Sequence, residues 1–572
     1  MKCQNCKIEF EITDEDRKFY KKVDVPEPTF CPECRLIRRI IWRNERFLYK
    51  RSCDSCKKSV ISMYPEEALF PVYCRSCWYS DKWDALEYGQ EYNFNKSFFN
   101  QFRSLLLRVP RIALQADNCT GCEYANQIAN SKNCYLTSSS HDNEDCYYGH
   151  RIIESRDVMD CLLSLKGELC YESIEFLNSS RLKFSNDCAD SIDLSFCTDA
   201  RGCQSSFMSS NIRRKKNYFR NKQLSSEEFK KKMKEIDTGS YKEIEKYKKE
   251  FKKLKQERIY RFANSKNAIN STGQTMTNVK DCHHCFNTAN LEDCHYCLFV
   301  NDTKDSMDIN NGCCTMALCY EGSSVGINCY NLKFSVDLWP EVRDSEYSDS
   351  CGNGSSNLFG CISMRKKQHC IFNKQYSESE YKEMVAKIKK HMNDIPYTDK
   401  KGRTYKYGEF FPAELAPFAY NDSVAQEYYP LSQKQAEEKG YSWRELETRD
   451  IQPSLNYNDL PDHIKDAKED ILKQTIFCKH WDENEDEAVK QRCTKAFRII
   501  PQELKYYQKN NLALPRLCPN CRHFERLQQR NPLKLWHRTC MKKGCQTEFE
   551  TSYAPERKET VYCEKCYLEE VG

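Results

Sequence analysis

No stretch of this 572-residue chain approaches 18 consecutive apolar residues, so the sequence offers no membrane-spanning helix. The N-terminus, MKCQNCKIEF, has no apolar signal region either, which points to a cytoplasmic protein. Absent too are HExxH, GxSxG and GxxxxGK(S/T), the patterns of metalloproteases, serine hydrolases and P-loop nucleotide enzymes. Surplus charge is equally scarce. The 89 Lys and Arg against 84 Asp and Glu leave a net +5, too little by itself to argue for a nucleic-acid partner. What is plentiful is cysteine, 36 residues in all. In a short secreted chain that number reads as a disulfide framework; in a long chain with Cys-x-x-Cys pairs it reads as metal in a reducing compartment.

The two ends of the chain share one cysteine ruler. Cys6, Cys31, Cys34 and Cys53 recur as Cys493, Cys518, Cys521 and Cys540 at a constant offset of 487, and Cys56, Cys74 and Cys77 recur as Cys545, Cys563 and Cys566 at 489. The intervening text agrees, with FCPECR against LCPNCR and Arg43-Asn44 against Arg530-Asn531. A Cys-x-x-Cys turn presents two thiolates, and two such turns complete a tetrahedral zinc site. Cys3, Cys6, Cys31 and Cys34 therefore form one expected site, and Cys53, Cys56, Cys74 and Cys77 a second. Pairing the first turn with the third fits the spacing as well, but sequential pairing leaves each loop an independent ribbon and is preferred. At the C-terminus Lys490 stands where Cys3 has its match, so Cys478 is the expected replacement in a set with Cys493, Cys518 and Cys521. His480 lies near enough to compete. Cys540, Cys545, Cys563 and Cys566 complete a count of about four structural zinc ions, since four cysteines leave no open position for a substrate.

Between the two sites of each module runs a basic and aromatic stretch. Arg35, Arg38, Arg39, Arg43, Arg46 and Arg51 alternate with Ile, Trp, Phe and Tyr in the first copy; Arg522, Arg526, Arg530 and Arg538 accompany Trp536 in the second. Guanidinium forks match phosphate and aromatic rings stack on unpaired bases, so these residues are candidate contacts to RNA, including ribosomal RNA. An ordinary helix explains them too, with Leu36, Ile37, Ile40 and Ile41 buried and the arginines in water.

The other 20 cysteines lie between residues 112 and 372 and follow a different rule. N133-CYL, D145-CYYG, D160-CLLS, L169-CYES, D281-CHHC, D293-CHYC, L318-CYEG and N328-CYNL recur at intervals that often fall near 9, 12 and 15. Multiples of three, with Asn or Asp before Cys, suggest a parallel β-solenoid with cysteine as a small core residue and Asn or Asp at the corners. The region is duplicated, since R213-RKKNYFRNKQLSSEEF reads against R365-KKQHCIFNKQYSESEY. The expected fold is mostly β: tandem zinc-ribbon modules at 1–98 and 471–572 flanking solenoid lobes at 112–222 and 263–374. A helical hairpin at 223–262, a helix at 375–395 and a connector at 396–470 join them. The stripe Ile244, Tyr247, Phe251 and Leu254 docks residues 226–262 on the solenoid or on a protein partner.

Two weaker features bear on chemistry. Asp302, Asp305 and Asp308 could act as paired carboxylates on a solenoid face, as in a carbohydrate-active enzyme. Cys282-His283-His284-Cys285 with Cys294-His295-x-Cys297 could add a central metal site.

FCPECR with WRN, LPRLCPNCRHFERLQQRNPLKLWHR, EFETSYAPERKETVYCEKCY and YPLSQKQAEEKGYSWR resemble a group of large zinc-ribbon proteins from small-genome, candidate-phylum bacteria. The resemblance implies a bacterial cytoplasm and zinc, and carries no catalytic activity. The sequence thus favours a non-enzymatic zinc-binding scaffold that contacts RNA. A protein-assembly scaffold without nucleic acid and a solenoid carbohydrate-active enzyme are the alternatives.

Overall fold

The computed structural model describes residues 1–312, 315–323, 326–337, 340–445 and 451–572. Cys313 and Cys314, two of the central cysteines, and Leu446 and Glu447 of the connector lie outside the described residues. The architecture is mixed α/β rather than mostly β. A 13-stranded and a 10-stranded sheet hold the middle, and cysteine clusters occupy both ends. No described helix is long and apolar enough to cross a membrane.

Both large sheets are parallel until a closing antiparallel strand, Lys222–Gln223 in the first and Lys374–Gln375 in the second. In the first sheet each strand pairs with the residue twelve positions on, as in Asn126↔Ser138 and His150↔Leu162. The second opens one residue shorter, with Ser265↔Met276, takes the same step at Gly273↔Cys285, lengthens by one residue at Thr303↔Met316 and Tyr330↔Arg343, and returns to twelve at Ser356↔Gln368.

The backbone explains the three-residue rhythm. From Asn118 to Arg220 a left-handed residue (φ 45–65°) falls at every third position, and the pattern returns from Asn267 to Phe372 with a few irregular steps. Asn133, Asp145, Asp160, Asp281, Asp293 and Asn328 are such corners, as their short side chains favour, but so are Tyr148, Phe184 and Leu318. The inter-strand ladder overrides propensity there. The residue after each corner points inward, and every described central cysteine occupies that place. Ile152, Phe176, Leu182 and Leu194 share that place on some turns, but many of the residues around them in the row are as compact as cysteine. Ser131, Ser155, Ser185, Gly167 and Ala200 fill it, and a Cβ on Gly167 would meet the Phe176 ring at 2.6 Å. A bend every three residues leaves little room within, so thiol, hydroxyl and methyl groups pack there. The hydroxyls and thiols also donate to the carbonyl two residues back, as Ser131 Oγ does to Ala129 at 2.8 Å and Cys161 Sγ to Met159 at 3.4 Å. The cysteine richness of the middle follows from this geometry.

The chain then crosses over. The N-terminal module shares a core with the second sheet, where Tyr20 packs edge-on against Tyr320 at 5.5 Å. The C-terminal module shares one with the first, where Tyr507 meets Tyr171 at 6.0 Å. The hairpin helices Ser226–Lys234 and Tyr241–Glu257 dock on the first sheet through Tyr247 and Phe251 against Phe196 and Phe207. The apolar stripe is thereby spent within the chain. The connector wraps the helix Pro32–Ile40, covering Ile40 and Ile41 with Tyr420, Val424 and Ala436.

Candidate metal centres

Four sets of thiols converge so that all sulfurs of a set lie within 4.8 Å of one another: Cys3, Cys6, Cys31 and Cys34; Cys53, Cys56, Cys74 and Cys77; Cys478, Cys493, Cys518 and Cys521; Cys540, Cys545, Cys563 and Cys566. The turns pair sequentially rather than cross-braced. A metal with four sulfur ligands at about 2.3 Å needs sulfurs about 3.8 Å apart. Cys6–Cys31 at 3.7 Å, Cys56–Cys74 at 3.8 Å, Cys493–Cys518 at 3.6 Å and Cys545–Cys563 at 3.9 Å meet that requirement. Every described cysteine is free of a disulfide.

The four sites share one local design. In each, the third ligand caps a helix: Cys31 before Pro32–Ile40, Cys74 before Arg75–Trp78, Cys518 before Pro519–Leu527 and Cys563 before Glu564–Val571. Helix N-termini carry partial positive charge and so favour thiolates. The backbone amide of that third cysteine also donates to the first sulfur, at 3.3, 3.2, 3.2 and 3.3 Å in chain order. Cys478 takes the place open opposite Lys490, while His480 Nδ1 lies 3.4 Å from Cys521 Sγ, against the set rather than within it.

The central Cys/His pairs behave otherwise. Cys282, Cys285, Cys294 and Cys297 do not form a fifth set among the described residues. Each donates to the carbonyl two residues back, at 3.2, 3.6, 3.3 and 3.5 Å, like the rest of the inward row. His295 turns to Asp16 of the N-terminal module, Nδ1 to Oδ1 at 2.8 Å. Burial opposes a proton on His295, but the hydrogen bond and charge of Asp16 raise its pKa above the usual 6.5.

The arginines expected on an RNA-facing surface are inside the molecule. Arg35 donates to Asp308 at 2.8 Å, and Arg39 reaches the other oxygen of the same carboxylate at 2.9 Å. Arg38 bridges Glu321 and Glu409, both at 2.9 Å. At the other end Arg522 and Arg526 share Asp160, at 2.7 and 2.8 Å. Burial disfavours charge on Arg35 and Arg522, but the acids beside them raise both guanidiniums above their usual range. Glu321, by contrast, is pushed up to about 7 by burial in spite of Arg38. Arg43 pairs with Glu45 at 2.5 Å, Arg46 with Glu427 at 3.3 Å, Arg51 with Asp54 at 2.8 Å and Arg530 with Glu175 at 2.9 Å. These groups offer no free surface to phosphate. The alternative of arginines in water is also replaced, because the helix Pro32–Ile40 buries both faces, isoleucines on the connector and arginines on the second sheet. Trp536 and Arg538 stay partly exposed, as do Arg46 and Arg530 to a smaller degree, and Arg538 donates to Tyr553 O at 3.4 Å and Ala554 O at 3.3 Å.

The acidic trio disperses as well. Asp302, Asp305 and Asp308 are successive corners: Asp302 accepts from Asn290 at 2.8 Å, Asp305 from Lys22 at 2.5 Å, and Asp308 holds the arginine clamp. Glu321 and Glu409 escaped the sequence reading, and Asp160 and Asp308 were read as corner and candidate catalytic residues rather than as receivers of the clamps. The available signal was the Asp in D160-CLLS, a left-handed corner whose side chain points outward beside a buried cysteine. No protein-family model and no curated protein matches the chain.

Proposed function

We propose that the protein is a zinc-stapled, non-enzymatic scaffold in which paired zinc ribbons lock two β-solenoid lobes into one body. A single observation carries this reading. The helix whose first turn supplies two cysteines supplies, one and five residues later, the two arginines that grip one aspartate of the opposing stack. Cys31 and Cys34 lead to Arg35 and Arg39 on Asp308; Cys518 and Cys521 lead to Arg522 and Arg526 on Asp160. Metal would fix the helix, and the helix fixes the lobe. Zinc suits an all-thiolate tetrahedron, and each such site is worth on the order of 10 kcal/mol of folding free energy. Kinship with the zinc-ribbon proteins of small-genome bacteria, and a reducing cytoplasm, belong to the same proposal.

The test is elemental analysis of the purified chain followed by chelation. About four zinc ions, with chelation exposing the corners around Asp160 and Asp308 to hydrogen exchange, is the expected result. Iron in place of zinc, or metal loss that leaves those corners protected, refutes it.

A further inference from the structure

A polar cavity of about 470 Å³ lies where the first sheet, the segment 255–267 and the C-terminal module meet, with Lys255, Arg258, Arg201 and Arg213 in its wall. Its size is that of a small-molecule site. Positive charge in it exceeds negative. Asp199 serves three guanidiniums, Arg213 at 2.9 Å, Arg258 at 3.7 Å and Arg201 at 3.8 Å, and accepts from the Tyr567 hydroxyl. The other acids of the wall are taken as well, Asp187 by Arg201, Glu175 by Arg530 and Glu564 by Arg261.

Arg258 is the group left over. Its side chain is 9% exposed and lies 3.8 Å from the Tyr260 ring centre. It donates no hydrogen bond to any described residue, and its Nε is buried without a partner. Such a group costs stability unless something accepts from it. Lys255 has Gln529 Oε1 at 2.8 Å as its side-chain partner and no carboxylate within reach among the described residues. Burial pushes its ammonium down to about 8, and Arg258 adds to the shift.

The opposite side of the molecule provides an internal comparison. There Arg365, the sequence match of Arg213, lies on Trp78 and Trp83 at 4.6 and 5.1 Å. The residue in register with it is Gly352, where Arg213 has Arg201. The strand pairings Val72↔Arg111 and Tyr260↔Val561 set Val109 opposite Arg258 in the same way. Arg201 and Arg258 thus stand on one side only, in a cavity where Asp199 is shared among three guanidiniums.

We infer that this cavity binds a small phosphorylated molecule, of the size of a nucleoside phosphate or a short polyphosphate. A phosphate group accepts from the Arg258 fork and from Lys255 together, which adds a counter-ion where Arg258 only shares Asp199 and Lys255 has no carboxylate. Amides of Asn264 and Gln274 on the cavity wall suit the polar body of such a molecule.

Titration calorimetry on the full-length, zinc-loaded protein at low ionic strength, with inorganic phosphate, pyrophosphate and AMP as probes, tests this. One equivalent of pyrophosphate or AMP is expected to bind; preference between the two tells polyphosphate from nucleotide. Arg258→Met and Lys255→Met should each weaken binding by on the order of tenfold, while Arg365→Met, on the opposite side, leaves it unchanged. Zinc content and melting temperature report whether each variant folds, and Lys255→Met carries the test if Arg258→Met does not. Absence of binding for all three probes, binding unaffected by Lys255→Met, or an equal loss in Arg365→Met overturns the inference.

Discussion

Replacing Asp308 by Asn keeps the shape of the corner but leaves Arg35 and Arg39 buried without their shared charge. Both arginines are fully buried, and Asp308 meets them at 2.8 and 2.9 Å. Removing one partner of a buried pair costs about 3–5 kcal/mol, because the remaining charge stays desolvated. Two guanidiniums depend on this carboxylate, so the upper part of that range is expected. Asn still accepts one hydrogen bond, which returns about 1 kcal/mol. A net loss of about 3–4 kcal/mol corresponds to two to three orders of magnitude in the opening equilibrium. Hydrogen exchange read by mass spectrometry resolves it locally, which matters in a chain of this length, where a single unfolding free energy is not well defined. The loosened region should be residues 14–42, which belong to the far end of the sequence. Asp160→Asn should instead loosen residues 501–530 and leave 14–42 protected. Equal loosening of both ends by either variant, or protection at 14–42 unchanged in Asp308→Asn, refutes the crossed clamp.

Further outcomes follow from the same geometry. Cys31→Ser and Cys518→Ser should each remove one zinc ion from a total of about four, measured by elemental analysis, and the double variant two. Docking of the helix Asp14–Lys22 should weaken with rising pH. The His295 pKa is raised in the folded state, so its contribution is complete below the ordinary 6.5 and is lost as pH climbs through the folded value. Protection at 14–22, corrected for the intrinsic rise of exchange with pH, should therefore fall as pH climbs above 6.5, and His295→Gln should abolish that dependence; pH-independent protection in the parent protein contradicts it. Cys161→Phe overfills the inward row and should cost about 1–3 kcal/mol or prevent folding, while Cys161→Ser, isosteric and able to keep the bond to Met159, stays folded. Near-normal stability of the phenylalanine variant in thermal unfolding would show that the row is not tightly packed.

The four thiol sets that could hold a metal were legible because their constraint is local: a Cys-x-x-Cys turn and a helix cap sit within a few residues of one another. Cys478 could be named for the same reason, as the nearest cysteine before an insertion. The three-residue rhythm was audible in the cysteine spacing, and Asn133 and Asp145 marked its corners. The corners at Tyr148 and Phe184 gave no sign, since the stacked ladder and not the side chain imposes their backbone. The arginines misled for a physical reason. Charge in a sequence window carries no information about a counter-ion 273 residues away, which is the separation of Arg35 from Asp308. Arg46 and Arg530 are hidden in the same manner, by acids contributed from the connector and from the first sheet.

The crossover also sets a timetable for synthesis. Arg35 must wait 273 residues for Asp308, and Asp160 must wait 362 residues for Arg522. At about 5–20 residues per second those intervals last roughly 14–55 s and 18–72 s. Throughout the second interval the first stack stands with an uncapped apolar flank, including Tyr148 and Tyr171, that only the last-made module covers. A nascent chain of this design keeps that flank open through most of its synthesis, and its yield should depend more on elongation rate and metal supply late in translation than on the stability of the finished molecule.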